Sequence, residues 1–140
     1  TIEKVVALAI LMPIVASMGG IAGMQSLALV IRSQALDQIG SSNSRLLILK
    51  EASIGVLNGI LWSSVVALAV YLWFESVFLG TVIAAALLIN LIIGAISGVS
   101  LPLILAKLKI DPALAGGVIL TTITDIVGFI SLLGIATLIL

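Results

Sequence analysis

The sequence predicts an all-α membrane protein: a bundle of four transmembrane helices, with a kinked first span and an amphipathic lead-in to the second. Three observations carry this. Hydrophobic residues make up 62% of the 140 and charged residues only 9%, where soluble domains have about 45–50% and about 25%. The mean hydropathy is +1.45. The few charges also collect between four apolar runs, each long enough for the roughly 20 helical residues that cross a hydrocarbon core of about 30 Å. We therefore expect one membrane domain over 1–140, with spans at about 5–31, 52–74, 77–106 and 112–140.

The first run, Val5–Ile31, is free of charge and ends at Arg32. It is too long for the apolar part of a signal peptide. Pro13 and the cluster Gly19-Gly20-Ile21-Ala22-Gly23 predict a kink or a locally opened helix, tolerated where neighbours satisfy the freed backbone. Gly40-Ser41-Ser42-Asn43-Ser44 reads as a turn, with Ser44 placed to cap the next helix. Arg45, Lys50 and Glu51 around Leu46–Leu49 form the amphipathic lead-in to the second run, Ala52–Phe74. Tyr71 and Trp73 lie near its end, where interfacial aromatics belong. Glu75-Ser76 is a short turn. The third run, Val77–Ala106, is long enough to tilt or to break at Pro102, and Lys107-Leu108-Lys109-Ile110 closes it. Asp111-Pro112 is a strong helix start, Asp at the N-cap and Pro at the first helical position.

Arg32, Arg45 and Lys50 flank the first connection and Lys107 and Lys109 the third, so both are expected on the cytoplasmic side of a multi-pass protein of the inner (plasma) membrane. Both ends of the chain then lie outside. A chain that begins with Thr and enters its first span at once is expected to be a piece of a longer protein with an odd number of spans upstream.

Composition also excludes functions. The net charge is zero, so a nucleic-acid partner is not expected. Cys and His are absent, which removes disulfides, thiolate or imidazole metal sites and the catalysis that depends on them. A bound metal would be held by oxygen, which favours hard cations such as Mg²⁺ or Ca²⁺. No phosphate-binding loop, nucleophile elbow or paired-carboxylate arrangement is present. An enzyme is not expected.

Within this apolar frame Asp125 is exceptional. It lies about 20 Å along the fourth helix from Pro112, near mid-bilayer, where a charge costs about 2.5–3.5 kcal/mol on insertion scales. It reads as the only acid or base so deep in an apolar run. Gly117, Thr121, Asp125 and Gly128 share one stripe of a 3.6-residue period, flanked by Thr122 and Thr124. A polar stripe centred on a carboxylate suits a water-filled path, and the alternative is an Asp bonded to a neighbouring helix. The first helix carries a matching stripe of Ala16, Gly19, Gly20, Gly23 and Ser26 or Leu27. Bare backbone there can present carbonyls to an ion or let helices pack closely, and spacing alone does not decide between them. The pairs Gly55–Gly59 and Gly94–Gly98, with Asn58 and Asn90 nearby, are read as packing.

Pro13-Ile14-Val15-Ala16-Ser17-Met18-Gly19-Gly20-Ile21-Ala22-Gly23-Met24-Gln25-Ser26, followed by Asp111-Pro112-Ala113-Leu114-Ala115-Gly116-Gly117 and Thr124-Asp125-Ile126-Val127-Gly128-Phe129, resembles the MgtE magnesium transporter family over essentially the whole chain. The resemblance corresponds to the last four of that family's five membrane helices. It implies a homodimer in the lipid bilayer with one cation pore between subunits, lined by the first and fourth helices of this chain. It further implies that Asp125 holds hydrated Mg²⁺, the transported ion, with Gly20 and Thr121 contributing backbone carbonyls. Ala16, Gly19, Gly23, Met24, Gly117, Thr122 and Gly128 are the expected pore lining. Cytoplasmic Mg²⁺-sensing regions are expected upstream. One departure stands out: the family's Gly-Gly-Asn-x-Gly reads Gly19-Gly20-Ile21-Ala22-Gly23 here, and Met24 replaces a second polar pore position. Weaker discrimination between Mg²⁺ and other divalent ions is the expected consequence. The rival readings are a carrier of Co²⁺, Mn²⁺ or Zn²⁺ and a non-transporting membrane scaffold.

Overall fold

A computed structural model describes residues 2–37 and 43–139, so the expected turn at Gly40–Ser44 lies largely outside the described residues. Four helices follow one another: α1 (Ile2–Ala35), α2 (Ser44–Phe74), α3 (Val77–Lys107) and α4 (Pro112–Ile139). All four are long and apolar enough to cross a membrane. The protein is an all-α membrane helix bundle.

The helices extend beyond their apolar runs because a charge ends a hydrophobic stretch without ending a helix. α1 continues past Arg32 to Ala35, and the lead-in around Arg45 and Lys50 forms the first turns of α2 itself. Ser44 is the first helical residue of α2 and Asn43 holds the cap position, one residue earlier than expected. Pro13 lies inside an unbroken α1, which is not opened at its glycines, and α3 runs through Pro102 to Lys107. Packing explains both. Gly19 and Gly23 of α1 are held against α3, and Pro102 is buried with its carbonyl accepting from Gln34 Nε2 at 3.1 Å.

Short polar turns end the other helices. Glu75 adopts a left-handed conformation (φ 51°), and Ser76 then caps α3, its Oγ accepting from the Leu79 N–H at 3.2 Å. At the start of α4, the Ala113 N–H donates to Asp111 Oδ1 at 3.0 Å, the cap that Asp-Pro predicts.

α3 is the centre of the bundle, packed against the other three helices, and α1 also packs on α4. Glycines set these contacts. α1 and α3 run parallel in a fixed register: Asn90 meets Val15, and a methyl group added at Gly94 or Gly98 would strike the carbonyls of Gly19 or Gly23. Two GxxxG pairs thus face each other, which is why the backbones approach so closely. Gly55 and Gly59 bring α2 onto Ala95 and Leu88 of α3 in the same way. α4 runs antiparallel to α1, with Gly128 on Ala16 and Gly116 on Leu27. The apolar core lies towards the α1 and α3 starts, around Leu11, Val15, Ile83, Leu87 and Leu132. There Lys4 Nζ sits 4.8 Å from the centre of the Phe78 ring. Large exposed side chains such as Trp73, Leu114 and Leu138 ring the bundle, as lipid contact requires.

Candidate functional site

The crossing of α1 and α4 leaves a cavity of about 480 Å³ lined by Ala16, Ser17, Gly20, Ile21, Met24, Gln25, Ala28, Thr121 and Asp125. Asp125 is half-buried in its wall and makes no hydrogen bond or ion pair with any described residue. No Lys or Arg lines the cavity. No basic side chain in the cavity wall neutralises the carboxylate.

The hydroxyls of α4 are turned back on their own helix. Thr121 Oγ1 donates to the Gly117 carbonyl at 2.8 Å, and Thr124 Oγ1 donates to the Leu120 and Thr121 carbonyls, both at 3.1 Å. A hydroxyl whose proton is committed inward still has lone pairs to offer outward. Opposite, Gly20 leaves room: a methyl group there would stand 3.6 Å from Thr124 Oγ1, and the missing side chain exposes α1 backbone to the cavity. Asp125, Thr121 and Ser17 supply oxygen, beside the Gln25 amide and the Met24 thioether. The oxygens suit a hard cation, and the volume exceeds the roughly 180 Å³ that six waters occupy in the liquid, so an ion can enter with its hydration shell.

The structure brings together Asp125, Gly20, Thr121, Ala16 and Met24 of the residues singled out from sequence. Gly117 lies beside them, 3.6 Å from the Met24 methyl if a Cβ were added. Others turn away from the cavity. Gly19 and Gly23 pack on α3, Gly128 is buried on Ala16 and Asn90, and Thr122 is exposed on another face with its hydroxyl on the Val118 carbonyl at 2.8 Å. The α1 stripe thus divides between its two readings. Neighbouring residues on a helix point about 100° apart, so Gly20 faces the cavity while Gly19 serves close packing.

A comparison with family models decides the identity. Residues 12–135 match MgtE, described as a divalent cation transporter. The chain belongs to the MgtE family. It is 40% identical over 136 residues, 97% of its length, to the magnesium transporter MgtE of Bacillus subtilis. It is 31% identical over 131 residues to that of Enterococcus faecalis, and 32% over 139 residues to that of Thermus thermophilus, 94% and 99% of this chain. The chain spans about 30% of the length of these relatives. The MgtE match includes every residue that lines the Asp125 cavity.

Sequence reasoning missed a second intramembrane carboxylate in this MgtE chain. Glu51, read as part of a solvated lead-in, is only 5% exposed, and its Oε2 accepts a hydrogen bond from Ser26 Oγ at 2.9 Å. It borders a smaller cavity of about 130 Å³ between α1, α2 and α3, with Gln25 and Asn58 also in the wall. Gln25 lines both cavities. The signal was available: Glu51, Gly55, Gly59 and Ser63 repeat every four residues and form the buried face of α2.

Proposed function

We propose that this chain is the membrane part of an MgtE transporter that takes up divalent cations, Mg²⁺ first, through the path between α1 and α4. The observation that carries the reading is the Asp125 carboxylate, without a partner among the described residues, set in the wall of a largely apolar cavity with room for a hydrated ion. Asp125 is the ligand in this account, with Gly20 and Thr121 supplying backbone carbonyls. The magnesium transporters to which the chain is similar support Mg²⁺ as the ion, and transport rather than catalysis as the activity.

The cavity is open on one side and lined there by exposed Ile21 and Met24. A second copy facing it across a twofold axis would close the path and add a second Asp125, and one or two carboxylates with retained waters is the usual way proteins hold Mg²⁺. The homodimer is thus part of the proposal, as are a plasma-membrane location and an upstream cytoplasmic sensing region that gates the path. Ile21 and Met24 also favour a broader reading, in which Co²⁺, Mn²⁺ or Zn²⁺ pass as well, because apolar side chains cannot hydrogen-bond the shell of a particular hydrated ion.

Mg²⁺ flux into liposomes containing the full-length protein, with each rival ion as competitor, tests the proposal. Saturable Mg²⁺ flux is expected, with measurable competition from the others. Absence of flux for any divalent ion would make the chain a scaffold, and saturable flux of a rival ion without Mg²⁺ would reassign the cargo.

A further inference from the structure

Asn90 stands at the junction of α1, α3 and α4 and is fully buried. Its Nδ2 donates to the Val15 carbonyl of α1 at 2.8 Å. A methyl group at Gly19 would overlap the same amide, and one at Gly128 of α4 would lie 3.0 Å from it. The amide is therefore wedged between the two helices that wall the Asp125 cavity, against Val15 and Gly19 of α1 and Gly128 of α4. Among the described residues, its Oδ1 is the buried side-chain polar atom that lacks a hydrogen-bond partner.

Packing alone does not call for an amide here. Leucine has the same branched outline, though greater bulk, and would remove the buried, unpaired carbonyl, which is a cost to the folded state. What leucine cannot do is bind the Val15 carbonyl. That bond fixes the height and rotation of α1 at the turn that carries Ala16 and Gly20, with Gly128 of α4 against the same amide. Because adjacent residues of α1 point about 100° apart, a rotation of α1 would carry the Gly20 backbone away from its place opposite Asp125.

We infer that Asn90 is a positioning residue for the cation path, holding α1 in the rotation that sets the Gly20 backbone opposite Asp125. The inference rests on the reading of the Asp125 cavity as that path. Asn90 acts through Val15 and touches no ion itself.

The test is the Asn90→Leu variant of the full-length protein, assayed in liposomes for Mg²⁺ flux and for competition by Ca²⁺, with a thermal melt alongside. Flux should fall about tenfold or more, as when groups orienting metal ligands are lost. The competition profile should shift towards Ca²⁺, a readout that the added bulk of leucine does not by itself set. Flux and competition like the parent's would overturn the inference. So would a fall in flux with the competition profile unchanged, which would make Asn90 a packing residue only. If Asn90→Leu does not assemble, Asn90→Ser, too short to reach Val15, is held to the same outcomes. Asp125→Ala in parallel separates the two proposals. Normal flux in that variant removes the cation path itself, whereas a silent Asp125→Ala beside a normal Asn90→Leu removes only the role of Asn90.

Discussion

Of the carboxylates in the four helices, Glu51 and Asp125 lie beyond the first turn, and they differ in burial, in partners and in surroundings. Glu51 is almost fully buried, accepts a hydrogen bond from Ser26, and ties α2 to α1. Asp125 is half-buried, bonds to no described residue and lines the larger cavity. A carboxylate in a helix bundle is costly whichever way it is placed. At Glu51 a neighbouring hydroxyl offsets part of that cost within the chain. At Asp125 no hydrogen bond from a described residue does so.

The comparison breaks first if the space facing Asp125 is unimportant. Gly20→Leu puts an isobutyl group into the cavity opposite the carboxylate while leaving Glu51 and Ser26 untouched. Near-complete loss of Mg²⁺ flux by the full-length protein in liposomes is expected, and normal flux would remove α1 from the path. A methyl group has room at Gly20, so Gly20→Ala should retain more flux than Gly20→Leu.

Glu51 gives a smaller and different effect. Glu51→Ala strands the Ser26 hydroxyl in a buried position and should cost about 1–3 kcal/mol of stability, read as a lower melting temperature of the full-length protein. Glu51→Gln keeps a carbonyl that can accept from Ser26 and should recover most of it. If Glu51→Ala melts like the parent while flux disappears, Glu51 serves the cation path and not the bundle.

The smallest perturbation concerns orientation. Five positive residues flank the first and third connections, so a cysteine at Lys109 should resist impermeant thiol reagents applied outside, while one at Glu75 should react. That pattern puts Glu51 near the cytoplasmic face and Asp125 at mid-depth. The reverse labelling would invert the path.

Much of this was legible in the sequence, because the bilayer imposes simple rules. Apolar runs of sufficient length became helices, Asp111-Pro112 started α4, and Glu75-Ser76 formed the turn before α3. Asp125 declared itself as a lone charge in an apolar run. The parts that escaped depend on contacts between helices. Gly19 and Gly20 are adjacent and chemically identical, and only the GxxxG of α3 at Gly94–Gly98 determines that Gly19 is the packing residue. Glu51 looked solvated because Arg45 and Lys50 are near it in sequence, yet its environment is set by Ser26, 25 residues earlier. Asn90 looked like ordinary packing because its partner, Val15, is 75 residues away. Periodicity finds faces, and it does not say which helix each face meets.

The most direct test of the central claim is Mg²⁺ flux through the full-length Asp125→Asn variant in liposomes, beside its thermal melt with and without Mg²⁺. The substitution keeps the shape of the side chain and removes its charge. A neutral amide oxygen attracts Mg²⁺ far less than a carboxylate does, so flux should fall to a small fraction of the parent's. The Mg²⁺-free melting temperature should stay unchanged, because no buried partner is left unpaired. Flux equal to the parent's would place the cation path elsewhere, and failure to assemble would make Asp125 a structural residue like Glu51.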